Sequence, residues 1–219
     1  MIGRLRLFAP IGALALLSAC HDDGGMNAEQ MSSLNEEMLA QVQQRAPDPE
    51  KVMRDRWQAM FNDPAAVIAA ANEFDYDAGA LTATGGTPAF RTDGKTWVHP
   101  VAKAPIEVTG DFNATGADKS RLDAITFTFQ VVENSEPTTK KERDALKLPK
   151  TVLGGFLSRF QLGMGDDVLR ALTTGSSATS TAPGGRIVVI AQPVPGMPTD
   201  RAKKLIVTLY NTNTEPKQP

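Results

Sequence analysis

Side chains suited to acid–base or metal chemistry are scarce in this chain of 219 residues. It contains two histidines and one cysteine, and His99 is the only imidazole after the first 26 residues. A serine–histidine–acid triad would have to use His99, but no Gly-x-Ser-x-Gly elbow accompanies it. The chain also lacks a His-Glu-x-x-His zinc motif. We therefore expect His99 to be an exposed residue at a strand end, and we predict no catalytic residue, no metal site and no cofactor.

Three carboxylates, Glu73, Asp75 and Asp77, alternate with aromatic residues. Oxygen ligands at alternate positions are typical of a calcium-binding loop. However, Ala78 stands where such a loop requires glycine, and Thr84 stands where a bidentate glutamate would close it. We interpret the three carboxylates as the solvated end of a helix. A hydrolase with two catalytic carboxylates is a further alternative, because any two of the 25 acidic residues could supply the pair.

A candidate binding surface lies around Trp97. Asp93-Gly94 is a strong signal for a two-residue hairpin turn, which would place Phe90 opposite Trp97. Lys95, Trp97 and His99 then share one face of the second strand. If that face is open, the three residues form a binding surface, because tryptophan is enriched at interface hot spots. If it faces the helices, Trp97 and Phe90 belong to the core.

A second candidate is a basic cluster in a segment with helical spacing. Glu142 and Asp144 are interspersed among its five cationic residues, which are Lys140, Lys141, Arg143, Lys147 and Lys150. Such a cluster can bind an acidic glycan, a lipid headgroup or an acidic protein. The alternative is a solvated helix face, which the mixture of charges favours.

The N-terminus has the features of a secretion signal. Arg4 and Arg6 precede an apolar run over residues 7–17, and small residues then lead to Cys20. The apolar run is too short to span a bilayer of about 30 Å as a helix. Leu17-Ser18-Ala19-Cys20 resembles the lipobox of bacterial lipoproteins. This resemblance is confined to the N-terminal segment and concerns no other part of the chain.

The resemblance implies that residues 1–19 are cleaved and that Cys20 carries acyl chains on its thiol and on the new amino group. Two or three acyl chains supply the multiple signals that stable membrane anchoring requires. Residues 20–26 then form a lipidated cysteine and a short tether. Because His21 rather than aspartate follows the cysteine, the expected location is the outer membrane, facing the periplasm, rather than the inner membrane.

The charge balance excludes partners that need a strongly basic surface. The full chain has 23 basic and 25 acidic residues, a net charge of −2. Cleavage removes Arg4 and Arg6, which leaves 21 basic and 25 acidic residues, or −4. Such a chain has no electrostatic reason to bind nucleic acid or anionic lipid. With Cys20 acylated it also has no thiol for a disulfide or a metal site.

Two Asp-Pro pairs predict the starts of consecutive helices. Aspartate is a good N-cap and proline suits the first helical position, so helices should begin at Asp48-Pro49 and Asp63-Pro64. Their apolar stripes contain Met53, Trp57, Met60, Phe61, Val67, Ala71 and Phe74. A preceding helix is predicted from the helical spacing of Met31, Leu34, Met38 and Val42.

From Leu81 onwards the apolar spacing changes from helical to alternating. Besides the hairpin, this predicts strands at residues 106–112, 125–131, 186–192 and 204–210. Residues 138–173 return to helical spacing, and residues 173–185 are predicted to form a flexible loop. Since Val188-Val189-Ile190 is apolar on both faces, we expect the strand at 186–192 to be central in the sheet.

The order of these elements predicts one α+β domain over residues 27–211, followed by a polar tail at residues 212–219. The expected architecture is an antiparallel sheet of about five to six strands with helices packed on one face. The N-terminal helices precede the sheet in the chain.

Together these features favour a membrane-anchored envelope lipoprotein that binds another protein and is not an enzyme. One subclass is an inhibitor or immunity-type protein against a toxin or a cell-wall hydrolase, with its partner contacts in loops such as residues 110–121 and 173–185. The alternative is a structural or accessory lipoprotein of an envelope assembly or secretion complex. A carboxylate-based envelope hydrolase is the third interpretation.

Overall fold

A computed structural model describes residues 32–33, 35–38, 47–99 and 105–212. The chain divides into two units, residues 1–46 and residues 47–219. The described residues of the first unit are helical, in agreement with the helix predicted there.

Several predictions concern residues outside this description. They are the cleaved signal at residues 1–19, the lipidated Cys20 with its tether to residue 26, the domain start at residue 27 and residues 213–219 of the polar tail. These remain predictions.

Both Asp-Pro helix starts are confirmed. Helix α1 is Pro49–Phe61 and helix α2 is Pro64–Asn72. The Asp48 carboxylate accepts a hydrogen bond from a first-turn N–H at 3.0 Å, and Asp63 accepts one at 2.9 Å. Each aspartate therefore satisfies an N–H group that has no partner within the helix. The apolar stripes are buried at Trp57, Met60, Phe61, Val67 and Ala71.

The second unit contains an antiparallel sheet of eight strands among its described residues. The strands are β1 (Thr82–Ala83), β2 (Phe90–Asp93), β3 (Trp97–His99), β4 (Ile106–Gly116), β5 (Ala124–Glu133), β6 (Ala178–Ala182), β7 (Gly185–Pro193) and β8 (Ala202–Asn211). Between β5 and β6 lie helices α3 (Lys140–Ala145), α4 (Leu148–Arg159) and α5 (Asp166–Thr174). The predicted α+β fold with an antiparallel sheet is confirmed, with eight strands rather than five to six.

The strand order is β1-β2-β4-β5-β8-β7-β6, and β3 also pairs with β4. The long strands β4 and β5 are neighbours, and β8 returns from the end of the chain to pair with β5. The β6–β7 hairpin therefore lies on one side of β8, while β1 to β4 lie on the other side of β5.

The helices pack on one face of this sheet. Side chains along β4, β5 and β8 alternate between buried and partly exposed, as expected when one face is covered. On the covered face, Phe127 joins Trp57 of α1 and Phe156 of α4 in one hydrophobic core. The other face carries polar side chains, among them Thr126 and Thr208, whose hydroxyl oxygens lie 3.3 Å apart.

Helices form after β5, as the helical spacing of residues 138–173 predicts. Helix α4 has Pro149 in its first turn and buries Val152, Phe156 and Leu157. Helix α5 follows Gly165 and has two aspartates in its first turn, where negative charge is favourable. Within residues 47–99 and 105–212, none of the helices is long and apolar enough to span a membrane.

The predicted hairpin at Asp93-Gly94 is wrong. Strands β2 and β3 both pair with β4 and do not pair with each other. The three residues between β2 and β3 belong to neither strand, because the Lys95 N–H donates to the Tyr76 carbonyl and not to a neighbouring strand. Phe90 consequently lies opposite Gly116 and Trp97 opposite Gly110, rather than opposite each other.

The predicted flexible loop at residues 173–185 is also wrong. Its first two residues end α5, and residues 178–182 form β6, which pairs with β7 across the turn at Pro183-Gly184. Gly184 has a φ of 88°, which suits glycine in the second central position of a type II turn. The second expected contact loop fails for a similar reason, because residues 110–116 belong to β4. Threonine is abundant in residues 173–185, and it suits strands as well as loops.

Strand β7 is not central in the sheet. It lies between β8 and the edge strand β6. Ile187 and Val189 are buried, whereas Ile190 on the other face has 45% of its surface exposed. The continuous apolar run therefore reflects apolar side chains on an open face, not burial on both faces.

Candidate binding site

The two predicted binding features meet in one groove. His99 ends β3, and it lines a cavity of about 460 Å³ together with residues of α3 and the start of α4. The lining consists of His99, Lys140, Lys141, Asp144, Ala145 and Leu148. The groove thus combines one residue of the predicted surface around Trp97 with two lysines of the basic cluster.

The floor of the groove belongs to a small hydrophobic cluster beside the main core. Val108 and Ala145 are buried in this cluster, and Trp97 and Leu148 pack against it. His99 pairs directly with Val108 in the β3–β4 register, so both side chains point to the helix-covered face. The groove therefore has an apolar base and, at Lys140 and Lys141, an exposed cationic rim.

A capping box fixes the helix that carries the two lysines. The Thr139 hydroxyl accepts a hydrogen bond from the Glu142 N–H at 3.2 Å, and the Glu142 carboxylate accepts one from the Thr139 N–H at 2.8 Å. The backbone hydrogen bond from Thr139 is the largest cause that lowers the pKa of Glu142. The Thr-x-x-Glu spacing is a sequence signal for this helix start, and the predictions from the sequence do not include it.

The second acidic residue of the basic cluster also has a partner inside the protein. The Asp144 carboxylate lies 2.8 Å from the Lys147 ammonium group, and this hydrogen bond lowers the pKa of Asp144. Lys140 and Lys141, in contrast, form no ion pair with another residue of the described ranges. The charge of Lys140 adds a smaller contribution to the lowered pKa of Asp144. Because neither groove lysine forms a direct ion pair with an acid in the described ranges, both ammonium groups can contact a negatively charged partner.

Trp97 is partly buried and packs against both hydrophobic clusters, which is closer to the second of its two predicted alternatives. Its indole covers Gly110, where a Cβ atom would overlap the ring, and its ring centroid lies 6.1 Å from that of Tyr76. Of the three residues predicted to bind, Trp97 supports the groove and His99 lines it. Lys95 is exposed in the break between β2 and β3.

The carboxylates at positions 73, 75 and 77 have separate structural roles. Glu73 forms an ion pair with Arg159 of α4. Asp75 and Asp77 have φ values of 64° and 48°, a turn conformation that aspartate tolerates better than most residues. This turn directs Tyr76 into the core, where it is fully buried. Across the described part of the chain, no group of three or more potential metal ligands converges.

Comparisons of the chain with protein-family models, with curated proteins and with solved structures found no match. The groove and the lipobox are therefore the features from which a function is inferred.

Proposed function

We propose that this chain is a lipoprotein of the bacterial cell envelope, anchored by acyl chains on Cys20. The support comes from the N-terminus, where basic residues, a short apolar run and small residues precede the only cysteine of the chain. The folded unit is tethered to the outer membrane and faces the periplasm.

The folded unit is a non-enzymatic protein-binding module, and the groove at His99 is its binding site. The observation that carries this proposal is the pair Lys140 and Lys141, which have no described ion-pair partner and stand above the apolar surface of Ala145 and Leu148. An acidic partner segment gains charge complementarity and apolar burial in the same place. An inhibitor or immunity-type role against a toxin or cell-wall hydrolase suits such a site.

Charge reversal at Lys140→Glu and Lys141→Glu tests the groove. The full chain is cross-linked in cells and captured from solubilised membranes, and its partner is identified by mass spectrometry. We expect the double variant to lose about tenfold or more of the cross-linked partner, because the attractive charges become repulsive.

The matched control is Arg54→Glu with Lys119→Glu. It changes the net charge by the same amount at two exposed positions outside the groove. Retention of the partner in the control and its loss in the groove variant supports the site. Equal capture by both double variants would contradict it.

The captured partner also separates the functional classes. One stoichiometric toxin or hydrolase supports the inhibitor role, whereas a large envelope complex supports the structural or accessory alternative. Turnover of purified cell-wall glycan by the wild-type chain, abolished by substitution of an acidic residue, would overturn the non-enzymatic proposal.

The anchor is tested separately with a labelled fatty acid supplied to growing cells. We expect label on the wild-type chain and on Ser18→Ala, which keeps a small residue in the lipobox, but none on Cys20→Ala. An unlabelled wild-type chain would contradict the lipoprotein proposal and leave the groove experiment unaffected.

A further inference from the structure

We propose that two copies of this chain pair through their β6 edge strands, antiparallel to each other. This dimer is independent of the proposed partner binding. Strand β6 forms one edge of the sheet, whereas the groove lies beside β3 and β4, on the other side of the central β5–β8 pair. One surface can therefore be occupied while the other stays accessible.

The outer edge of β6 has backbone groups available for another strand. Among the strands that the structure describes, β6 pairs with β7 alone. Ala182 and Gly185 pair directly across the Pro183-Gly184 turn, so they form the first hydrogen-bonded pair of the hairpin. Because such pairs alternate with non-bonded ones, the N–H and C=O groups of Thr179 and Thr181 point away from β7.

This edge lacks the features that usually prevent strand pairing. Proteins protect sheet edges with charged side chains, prolines or very short strands. Residues 171–185 contain no charged side chain, and β6 contains no proline. At the opposite edge, β1 has two residues, and Arg91 and Asp93 of β2 form an exposed ion pair. Of these two edges, only the one formed by β6 therefore lacks such protection.

The sequence of β6 is complementary to itself. Ala178-Thr179-Ser180-Thr181-Ala182 reads identically in both directions. A two-fold axis at Ser180 places Thr179 opposite Thr181 of the partner subunit, and each of these positions has the outward backbone groups that a hydrogen-bonded pair needs. The threonine side chains are exposed, and cross-strand threonine pairs are favourable. The remaining contacts involve only small side chains without charge.

This register makes a specific prediction for charged residues. In Thr179→Glu/Thr181→Glu, like charges face each other across the two-fold axis, whereas in Thr179→Lys/Thr181→Glu opposite charges do. Both variants share the glutamate beside Arg186, the register neighbour of Thr181 on β7. The two variants differ only at position 179. Any effect of the substitutions on the fold of a single subunit is therefore largely the same in both.

The experiment measures disulfide formation by Ser180→Cys in the full chain, in isolated envelope membranes under mild oxidation. The introduced thiols of two subunits meet at the two-fold axis in a non-hydrogen-bonded pair, where side chains approach most closely. We expect a disulfide-linked dimer with Ser180→Cys and background cross-linking with Ser176→Cys, which lies away from the axis. The chain without an added cysteine controls for the thiol of Cys20.

We expect Thr179→Glu/Thr181→Glu to slow this cross-linking about tenfold and Thr179→Lys/Thr181→Glu to restore it to within about threefold of the original rate. The proposal is overturned if Ser180→Cys cross-links no faster than Ser176→Cys. It is also overturned if the two charged backgrounds give equal rates. Neither result depends on the partner bound at the groove.

Discussion

Removal of one oxygen atom from Tyr76 tests the packing between the helices and the sheet. Tyr76 is fully buried, and its ring centroid lies 5.6 Å from that of Phe112 and 5.8 Å from that of Phe127. Its hydroxyl has no hydrogen-bond partner among the described residues. A buried polar group without a partner costs about 1–3 kcal/mol. Because Tyr76→Phe keeps the ring, we expect the free energy of unfolding to rise by up to that amount.

The same substitution has a signature at alkaline pH. Burial raises the pKa of the Tyr76 hydroxyl well above its ordinary value. The nearby Trp97 indole N–H lowers this pKa by a smaller amount, although the two groups do not meet the geometry of a hydrogen bond. The unfolded chain therefore ionises Tyr76 above about pH 10, while the folded chain does not. Ionisation of Tyr76 in the unfolded chain therefore leaves the free energy of unfolding of the wild type unchanged below about pH 10. Above that pH it lowers this free energy by about 1.4 kcal/mol per pH unit. Tyr76→Phe escapes this loss, so its advantage should grow by about 1.4 kcal/mol between pH 9 and pH 11.

Urea and thermal unfolding at pH 7, 9 and 11 measure both effects. For a folded unit of this size, a change of 1 kcal/mol moves Tm by about 2–4 °C. The control is Tyr210→Phe, at a half-buried tyrosine whose ring lies 5.2 Å from the Arg186 guanidinium. A less stable Tyr76→Phe at pH 7 would refute the argument, since the hydroxyl would then have a favourable partner. Parallel pH curves for wild type and Tyr76→Phe would refute the alkaline ionisation.

Three further substitutions test the helix ends and a close contact. Asp63→Ala removes the N-cap of α2 and should lower the free energy of urea unfolding by about 1 kcal/mol; no change would contradict the cap. Gly185→Ala places a Cβ atom inside the Trp57 ring and should cost at least about 1–3 kcal/mol, whereas Gly79→Ala, in open space, should cost under about 0.5 kcal/mol. Glu142 loses its stabilising ionised form as pH falls from its ordinary pKa through the lowered one. Acid melts of wild type and Glu142→Gln should therefore converge in that range, and a constant difference would count against the capping box.

The parts of the fold that the sequence predicts well depend on neighbouring residues. The starts of α1 and α2 follow from Asp48-Pro49 and Asp63-Pro64, because a cap needs only a side chain and the next few N–H groups. The buried stripes of α1 and α4 follow from helical spacing. The long strands β4, β5 and β8 follow from alternation, because one covered face imposes a period of two.

The errors concern interactions between distant residues. The Asp93-Gly94 turn is overridden because the Tyr76 carbonyl, far back in the chain, takes the N–H of Lys95. The position of β7 depends on which strands pair beside it, and an apolar run contains no information about that order. The threonines and serine of β6 suit a loop as well as a strand, so the sequence predicts a loop there. Pairing with β7, which the sequence does not show, makes the segment a strand.

The candidate site was predicted only in its parts. His99 and the basic cluster were each identified from residue type, but the pairing of β3 with β4 and the packing of α3 bring them together. The sequence places Glu142 and Asp144 among the five cationic residues, which predicts a neutralised helix face. In the structure these acids form their hydrogen bonds with Thr139 and Lys147, and neither forms a direct ion pair with Lys140 or Lys141.

The hydrogen bond from the Lys95 N–H to the Tyr76 carbonyl gives this molecule an internal reporter of local opening. A second main-chain bond, from Leu122 to the Phe61 carbonyl at 2.8 Å, also joins the helical region to the sheet. Neither amide can exchange its proton with solvent while these contacts persist. If the helices detach as one cooperative unit, hydrogen exchange gives the two amides the same free energy of opening. If the turn at Tyr76 opens alone, the amide of Lys95 exchanges first.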